Sequence, residues 1–101
     1  MTAQLVQKIL NDINKEVLAQ VEKWGVQRHP DGTSADYIDL SNFARERTDR
    51  KAEEGTLTWL DILEEEKWEA FAEDNDPDKL RKELVQTAAV IVSHIRDLDS
   101  R

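Results

Sequence analysis

The sequence predicts an all-α protein, and three observations support that prediction. Apolar residues recur every three or four positions through most of the chain, as they do on one face of a helix. The three glycines and two prolines fall at the breaks between these periodic segments. No segment shows the alternation of apolar and polar residues that indicates a β-strand. A length of 101 residues suits one helical domain, residues 1–101.

The first helix is predicted from about Thr2 to Trp24. Its apolar side chains recur at intervals of four and so share one face: Leu5, Ile9, Ile13, Val17 and Val21. Gly25 ends the helix, and residues 28–34 are rich in turn-forming residues and predict a loop.

The second helix is predicted from about Ala35 to Glu54, with Gly55 as its C-terminal stop. Its apolar pattern is weaker than that of the first helix, and consists of Tyr37, Leu40, Phe43 and Ala44.

The third helix is predicted from Thr58 to about Asp74. Thr58 and Asp61 have the spacing of a capping box, in which each side chain bonds the backbone amide of the other residue. A helical wheel at about 100° per residue places the core-facing residues together. They are Trp59, Leu60, Leu63, Ala70 and Phe71.

The fourth helix is predicted to begin at residues 75–78, where Pro77 takes the first helical position, and to end near Leu98. It has the strongest periodicity: Leu80, Leu84, Ala88, Ile91, Ile95 and Leu98. Val85, Ala89 and Val92 widen this apolar arc beyond one stripe, so the helix needs cover on two sides. A second subunit could supply part of that cover, or the helix could lie at the centre of a monomeric bundle.

Composition narrows the range of functions. The chain has no cysteine, which excludes disulfides, thiolate zinc sites and a cysteine nucleophile. No signal peptide or apolar membrane span is visible, so a cytoplasmic protein without a membrane partner is expected. A net charge of −8 disfavours binding to DNA or RNA polymers. Carboxylates that hold divalent cations attract phosphates, so small phosphorylated ligands fit this composition.

The third helix carries a row of carboxylates along one edge of the wheel, formed by Glu65, Glu66, Glu69 and Glu73. Glu66 lies within the apolar sector in the middle of the helix, where an unpaired charge is costly. A divalent cation would remove that cost, because magnesium and manganese prefer hard oxygen ligands. The alternative is a solvated acidic face with Glu66 reaching water.

The fourth helix can complete a cation site. Two antiparallel helices joined by a short connection face each other, so Glu66 and Glu69 are expected to converge with Glu83. Gln86 follows one turn after Glu83 and could add an amide oxygen.

These residues resemble the MazG-like branch of the all-α nucleotide pyrophosphatases. That family has an ExxE pair on one helix and an ExxD pair on the next. Here Glu66 and Glu69 form the first pair, Glu83 opens the second, and Gln86 stands where the family normally has Asp. The resemblance covers about residues 18–98. It includes the stretches Glu65-Glu66-Lys67-Trp68-Glu69-Ala70-Phe71, Glu83-Leu84-Val85-Gln86, Trp24-Gly25-x-Gln27, Thr58-Trp59 and Ile62-Leu63.

The resemblance implies a four-helix MazG-like bundle completed by dimerisation, as a homodimer or homotetramer. It also implies magnesium-dependent (or manganese-dependent) hydrolysis of a nucleoside triphosphate between the α and β phosphates, a housecleaning reaction that yields the monophosphate and pyrophosphate. The implied metal ligands are Glu66, Glu69, Glu83 and Gln86. Glu66 and Glu65 are the implied catalytic residues, with Glu65 as the base or in an outer-sphere role.

Four further residues are candidates for substrate binding. Arg45 resembles a second-helix cation that similar proteins direct at the site, and Arg47 is its neighbour; both could instead be solvated surface residues. Trp24 and Gln27 could stack on and hydrogen-bond a base, although Trp24 could equally be a core residue that closes the first helix.

Two other functions stay open. The first is a non-catalytic nucleotide-binding relative, because Gln86 carries no charge and cannot act as a base. The second is a small acidic helical protein that binds a partner and no ligand.

Overall fold

The computed structural model describes residues 2–101. Within this range all regular structure is helical and no strand occurs, which confirms the all-α prediction. The elements are α1 (Ala3–Trp24), a 3₁₀ turn (Ala35–Tyr37), α2 (Ile38–Glu54), α3 (Trp59–Phe71) and α4 (Pro77–Asp99). None of the helices described over residues 2–101 has both the length and the apolar character needed to cross a bilayer.

The described chain forms two compact units. The first unit comprises residues 2–31 and 92–101, and the second comprises residues 32–91. Helix α1 belongs to the first unit, α2 and α3 belong to the second, and α4 contributes residues to both.

In the first unit, α1 begins at Thr2, whose hydroxyl accepts a hydrogen bond from the Leu5 amide at 3.3 Å. It ends at Gly25, where φ is +73° and the amide donates to the Val21 carbonyl. Ile9 is the fully buried member of the predicted apolar face. Val17 and Val21 on the same face are about half exposed within the chain.

In the second unit, α2 ends as predicted at Gly55, which adopts a left-handed conformation with φ +76°. The amides of Gly55 and Thr56 donate to the carbonyls of Ala52 and Lys51, a Schellman arrangement that satisfies the end of the helix. A non-glycine residue would be strained at Gly55 because L side chains rarely adopt this φ.

The buried face of α2 differs from the predicted one. Helix α2 packs along α3, and its buried residues are Ser41, Ala44 and Thr48. These small side chains permit a close approach, and the Thr48 hydroxyl donates to the Asp61 carbonyl at 3.3 Å. Leu40 and Phe43, which the apolar pattern assigned to the core, are exposed.

The capping box that starts α3 is confirmed. The Thr58 amide donates to Asp61 Oδ2 at 3.0 Å, and the Asp61 amide donates to Thr58 Oγ1 at 3.3 Å. The Asp61 side chain also ion-pairs with Lys51 Nζ at 2.6 Å and Arg47 Nε at 3.4 Å, both on α2. Asp61 is only 5% exposed, so this residue ties the start of α3 to α2.

Helix α3 ends at Phe71, three residues before the predicted end. The Ser34 amide donates to the Phe71 carbonyl at 2.9 Å and so occupies an acceptor that a longer helix would use. Asn75 then adopts a positive φ of 64°, which is incompatible with continued helix. The predicted core face of α3 is also too wide, because Leu60 is 64% exposed.

Helix α4 begins at Pro77, as predicted. Asp76 precedes it and its Oδ1 accepts a hydrogen bond from the Lys79 amide at 3.1 Å. Leu80 is buried, but three apolar residues at intervals of seven remain exposed: Leu84, Ile91 and Leu98. The apolar arc of α4 is therefore only partly covered within the chain.

Candidate metal centre

Three carboxylates converge in the second unit. Glu66 and Glu69 lie one turn apart on α3, and Glu83 lies in the second turn of α4. One carboxylate oxygen from each residue lies within 4.8 Å of the other two. The sequence predicted that these three side chains would meet, and the structure brings them together.

Two of these carboxylates have unsatisfied oxygens. Glu66 Oε2 and Glu83 Oε2 are both buried and neither accepts a hydrogen bond. Burial raises the pKa of Glu66, and the neighbouring Glu83 and Glu65 raise it further. The arrangement therefore disfavours the ionised form of Glu66 unless a positive charge is close.

Glu69 is in a similar environment. Burial raises its pKa first, and repulsion from Glu66, Glu65 and Glu83 adds to that effect. Arg45 Nε lies 3.8 Å from Glu69 Oε1 and offsets part of the repulsion. A single arginine at this distance balances one carboxylate, whereas three converge here.

The donor set fits a hard divalent cation. All three groups are carboxylates, and magnesium and manganese favour oxygen ligands. The two unsatisfied oxygens could coordinate a cation placed between the carboxylates. Its positive charge would offset the mutual repulsion of the three negative charges. Glu66, Glu69 and Glu83 are thus the residues able to hold such an ion.

Glu65 adjoins the three carboxylates, and residues of α2 also affect its pKa. Burial raises its pKa first, followed by repulsion from Asp49, while the nearby Thr48 hydroxyl and the charge of Arg45 lower it. A raised pKa makes the Glu65 carboxylate a stronger base than an ordinary glutamate.

A cavity of about 410 Å³ adjoins the carboxylates, within the size range of small-molecule sites. Helix α2 contributes four of its lining residues, α3 and the turn after it contribute three, and α4 contributes two. They are Ile38, Ser41, Asn42, Arg45, Glu69, Ala72, Glu73, Lys79 and Glu83.

Sequence reasoning placed Arg45 at the site but missed Lys79. Both residues line the cavity. Lys79 precedes Glu83 by four positions and so shares a face of α4 with it, which is the signal that could have identified it. Its ammonium group lies 3.2 Å from Glu73 Oε1.

No family model, curated protein or solved structure matches the chain. The resemblance to MazG-like pyrophosphohydrolases therefore rests on the residues themselves, chiefly the Glu66–Glu69 pair and Glu83.

Arg47 and Gln86 lie outside the cavity lining. Arg47 contacts Asp61, lies 3.8 Å from Glu64 through Nη2, and sits over the Phe43 ring. Gln86 is exposed on α4, one turn after Glu83. The structure thus gives Arg47 an ion-pairing role, and the assignment of Gln86 as a metal ligand stays a prediction.

Trp24 and Gln27 belong to the first unit. Trp24 is 62% exposed, with Lys23 Nζ 4.9 Å from the centre of its ring. A hydrogen bond joins Gln27 Oε1 and His29 Nε2 at 2.9 Å. Gln27 also lines a hollow of about 220 Å³ with residues of α1 and Gly25. Base recognition by Trp24 and Gln27 stays a prediction.

Proposed function

We propose that this protein is a divalent-cation-dependent nucleoside triphosphate pyrophosphohydrolase of the MazG-like type. The observation that supports it most is the convergence of Glu66, Glu69 and Glu83, with two buried carboxylate oxygens left unsatisfied. The adjoining cavity supplies room for phosphates, and the cationic Arg45 lines it.

In the proposed reaction, water attacks the α phosphorus of the triphosphate and the bond to the α–β bridging oxygen breaks, which releases the monophosphate and pyrophosphate. A bound magnesium ion would neutralise phosphate oxygens and favour attack by water. Glu66, Glu69 and Glu83 would hold that ion. Glu65 accepts the proton of the attacking water, in keeping with its raised pKa. Arg45 binds phosphate oxygens, and Gln86 can contribute an amide oxygen.

The direct test is pyrophosphate release from a panel of ribo- and deoxyribonucleoside triphosphates with magnesium or manganese. We expect release of pyrophosphate and the monophosphate, dependent on the cation, and no release of orthophosphate. Absence of turnover with every substrate and both cations would contradict the enzyme proposal.

Gln86 favours a second candidate, a nucleotide-binding protein without turnover. The family normally has Asp at this position, and an exposed glutamine brings neither a charge nor a base. Such a protein would gain thermal stability from magnesium plus nucleotide but release no pyrophosphate. If magnesium plus nucleotide leaves the melting temperature unchanged, a protein that only binds a partner is the better description.

We further propose that the chain self-associates through α1. Leu10, Val17, Val21 and Trp24 fall within an arc of about 60° on this helix, and each is at least 42% exposed. A row of exposed apolar residues on one helix face marks an association surface. An identical subunit is the simplest partner, because symmetric pairing covers the same row on both copies.

Val17→Glu tests this association. A charge in the centre of the row should convert the protein to a monomer of 11.7 kDa in light scattering coupled to size exclusion. Ala19→Glu adds the same charge about 160° away on α1 and should leave the oligomer intact. Equal masses for the wild-type protein and both variants would exclude this row as the interface.

A further inference from the structure

Two cations meet the acidic side chains of the cavity from different helices. Arg45 on α2 pairs with Glu69, and Lys79 in the first turn of α4 pairs with Glu73. The two side chains are about half exposed, at 51% and 56%, so both can reach a ligand in the cavity. Ser41 and Asn42 add polar side chains to the same lining.

The balance of charge makes anion binding conditional on the metal. Glu69, Glu73 and Glu83 outnumber the two cations of the lining, so the cavity by itself repels phosphate. A divalent cation held by Glu66, Glu69 and Glu83 would cancel this excess of negative charge and place a positive centre beside Arg45 and Lys79.

The position of Lys79 provides a second binding point for that anion. Its backbone lies one helical turn before Glu83, which holds the cation, so the ammonium group and the cation are separate binding points on α4. A ligand with two linked phosphates can place one on the cation and the other on the ammonium group. Glu73 holds the ammonium group until such a ligand arrives.

We propose that Lys79 binds the phosphate group furthest from the metal in a ligand with at least two linked phosphates, and that Glu73 competes with this phosphate for Lys79. The inference rests on the proposed function, because it takes the metal site as given. It deepens that function by assigning the part of the cavity that distinguishes a diphosphate group from a single phosphate.

Calorimetric titration of inorganic pyrophosphate, in the presence of magnesium, tests the role of Lys79. Lys79→Ala should weaken binding by about tenfold, the usual scale of one charge-assisted hydrogen bond. Lys82→Ala removes an exposed lysine of the same helix that does not line the cavity, and should change affinity less than twofold. Orthophosphate should bind weakly to all three proteins, with little difference between them.

Glu73→Gln should change the affinity for pyrophosphate in the opposite direction to Lys79→Ala. Removal of the competing carboxylate should strengthen pyrophosphate binding while magnesium binding stays unchanged. Weaker pyrophosphate binding in this variant would contradict the proposed competition, because it would mean that Glu73 supports the ligand.

Magnesium titrations without phosphate separate the two proposals. If wild-type protein binds magnesium and pyrophosphate, but Lys79→Ala behaves like Lys82→Ala, the role of Lys79 is excluded and the proposed function stands. If wild-type protein binds neither, both proposals fail.

Discussion

Glu66→Gln is expected to raise the melting temperature of the metal-free protein and to abolish its stabilisation by magnesium. The glutamine removes a partly buried charge that burial, Glu83 and Glu65 all disfavour. Because the folded-state pKa of Glu66 is raised, its cost exists at neutral pH and disappears below the ordinary value of 4.5, where the carboxyl is protonated in both states. The stability gained by Glu66→Gln should therefore vanish as the pH falls below 4.5.

Glu66→Gln should also weaken magnesium binding, so in the presence of the metal it is expected to cost stability. Magnesium at 100 times its dissociation constant should stabilise the wild-type protein by about 2.7 kcal/mol. The Glu66→Gln variant should lack most of this stabilisation by magnesium. Pyrophosphate release should fall by about 100-fold or more, since a lost ligand removes several kcal/mol of transition-state stabilisation.

Thermal melts with and without magnesium, together with pyrophosphate-release assays, measure these effects. Glu46→Gln on α2 is the matched control, because it removes an exposed carboxylate and should change neither quantity. A Glu66→Gln variant that keeps both its magnesium response and its turnover would remove Glu66 from the metal centre.

Asp61→Asn is expected to be the most destabilising single charge removal in the second unit. The substitution takes a carboxylate from the capping box and from its ion pairs with Lys51 and Arg47 at once. Arg47 Nε is buried and makes no hydrogen bond, so the loss of the Asp61 charge leaves Arg47 with only the 3.8 Å ion pair to Glu64 among its two carboxylate partners.

The lowered pKa of Asp61 predicts that acid destabilises the folded protein. The hydrogen bond to Lys51, followed by that to Thr58, lowers the pKa of Asp61 from 3.8 to about 2. Its contribution is therefore fully present above pH 3.8 and is lost as the pH falls through about 2. Wild-type protein and Asp61→Asn should differ most at neutral pH and converge at the acid end.

Thermal and denaturant melts at neutral pH and at about pH 2 check this prediction. Thr58→Ala removes only the cap, and should cost about 1 kcal/mol. Asp78→Asn removes an exposed first-turn aspartate from α4, where the helix dipole contributes about 0.3–1 kcal/mol. The prediction is wrong if Asp61→Asn is no more destabilising than Asp78→Asn.

Helix boundaries that depend on residues adjacent in sequence could be predicted from the sequence alone. Gly55 ends α2 because glycine accepts a left-handed conformation at little cost, and Pro77 starts α4 because a first helical position needs no amide donor. The capping box of Thr58 and Asp61 spans four residues. Each signal acts within one turn, so no knowledge of the fold was required.

The carboxylates of the candidate site were also predictable, for a similar reason. Glu66 and Glu69 share a helix edge through their spacing, and a short connection brings Glu83 beside them. The exclusion of cysteine chemistry likewise follows from composition alone.

Tertiary contacts were needed for the remaining features, because they involve residues far apart in sequence. At the end of α3, the Phe71 carbonyl accepts a hydrogen bond from Ser34, which lies far away in sequence. Asp61 holds Arg47 on another helix, and Lys79 joins Arg45 in one cavity only once three helices are assembled. Local periodicity describes the face that a side chain occupies on its own helix; the partner that it meets depends on the packing of the other helices.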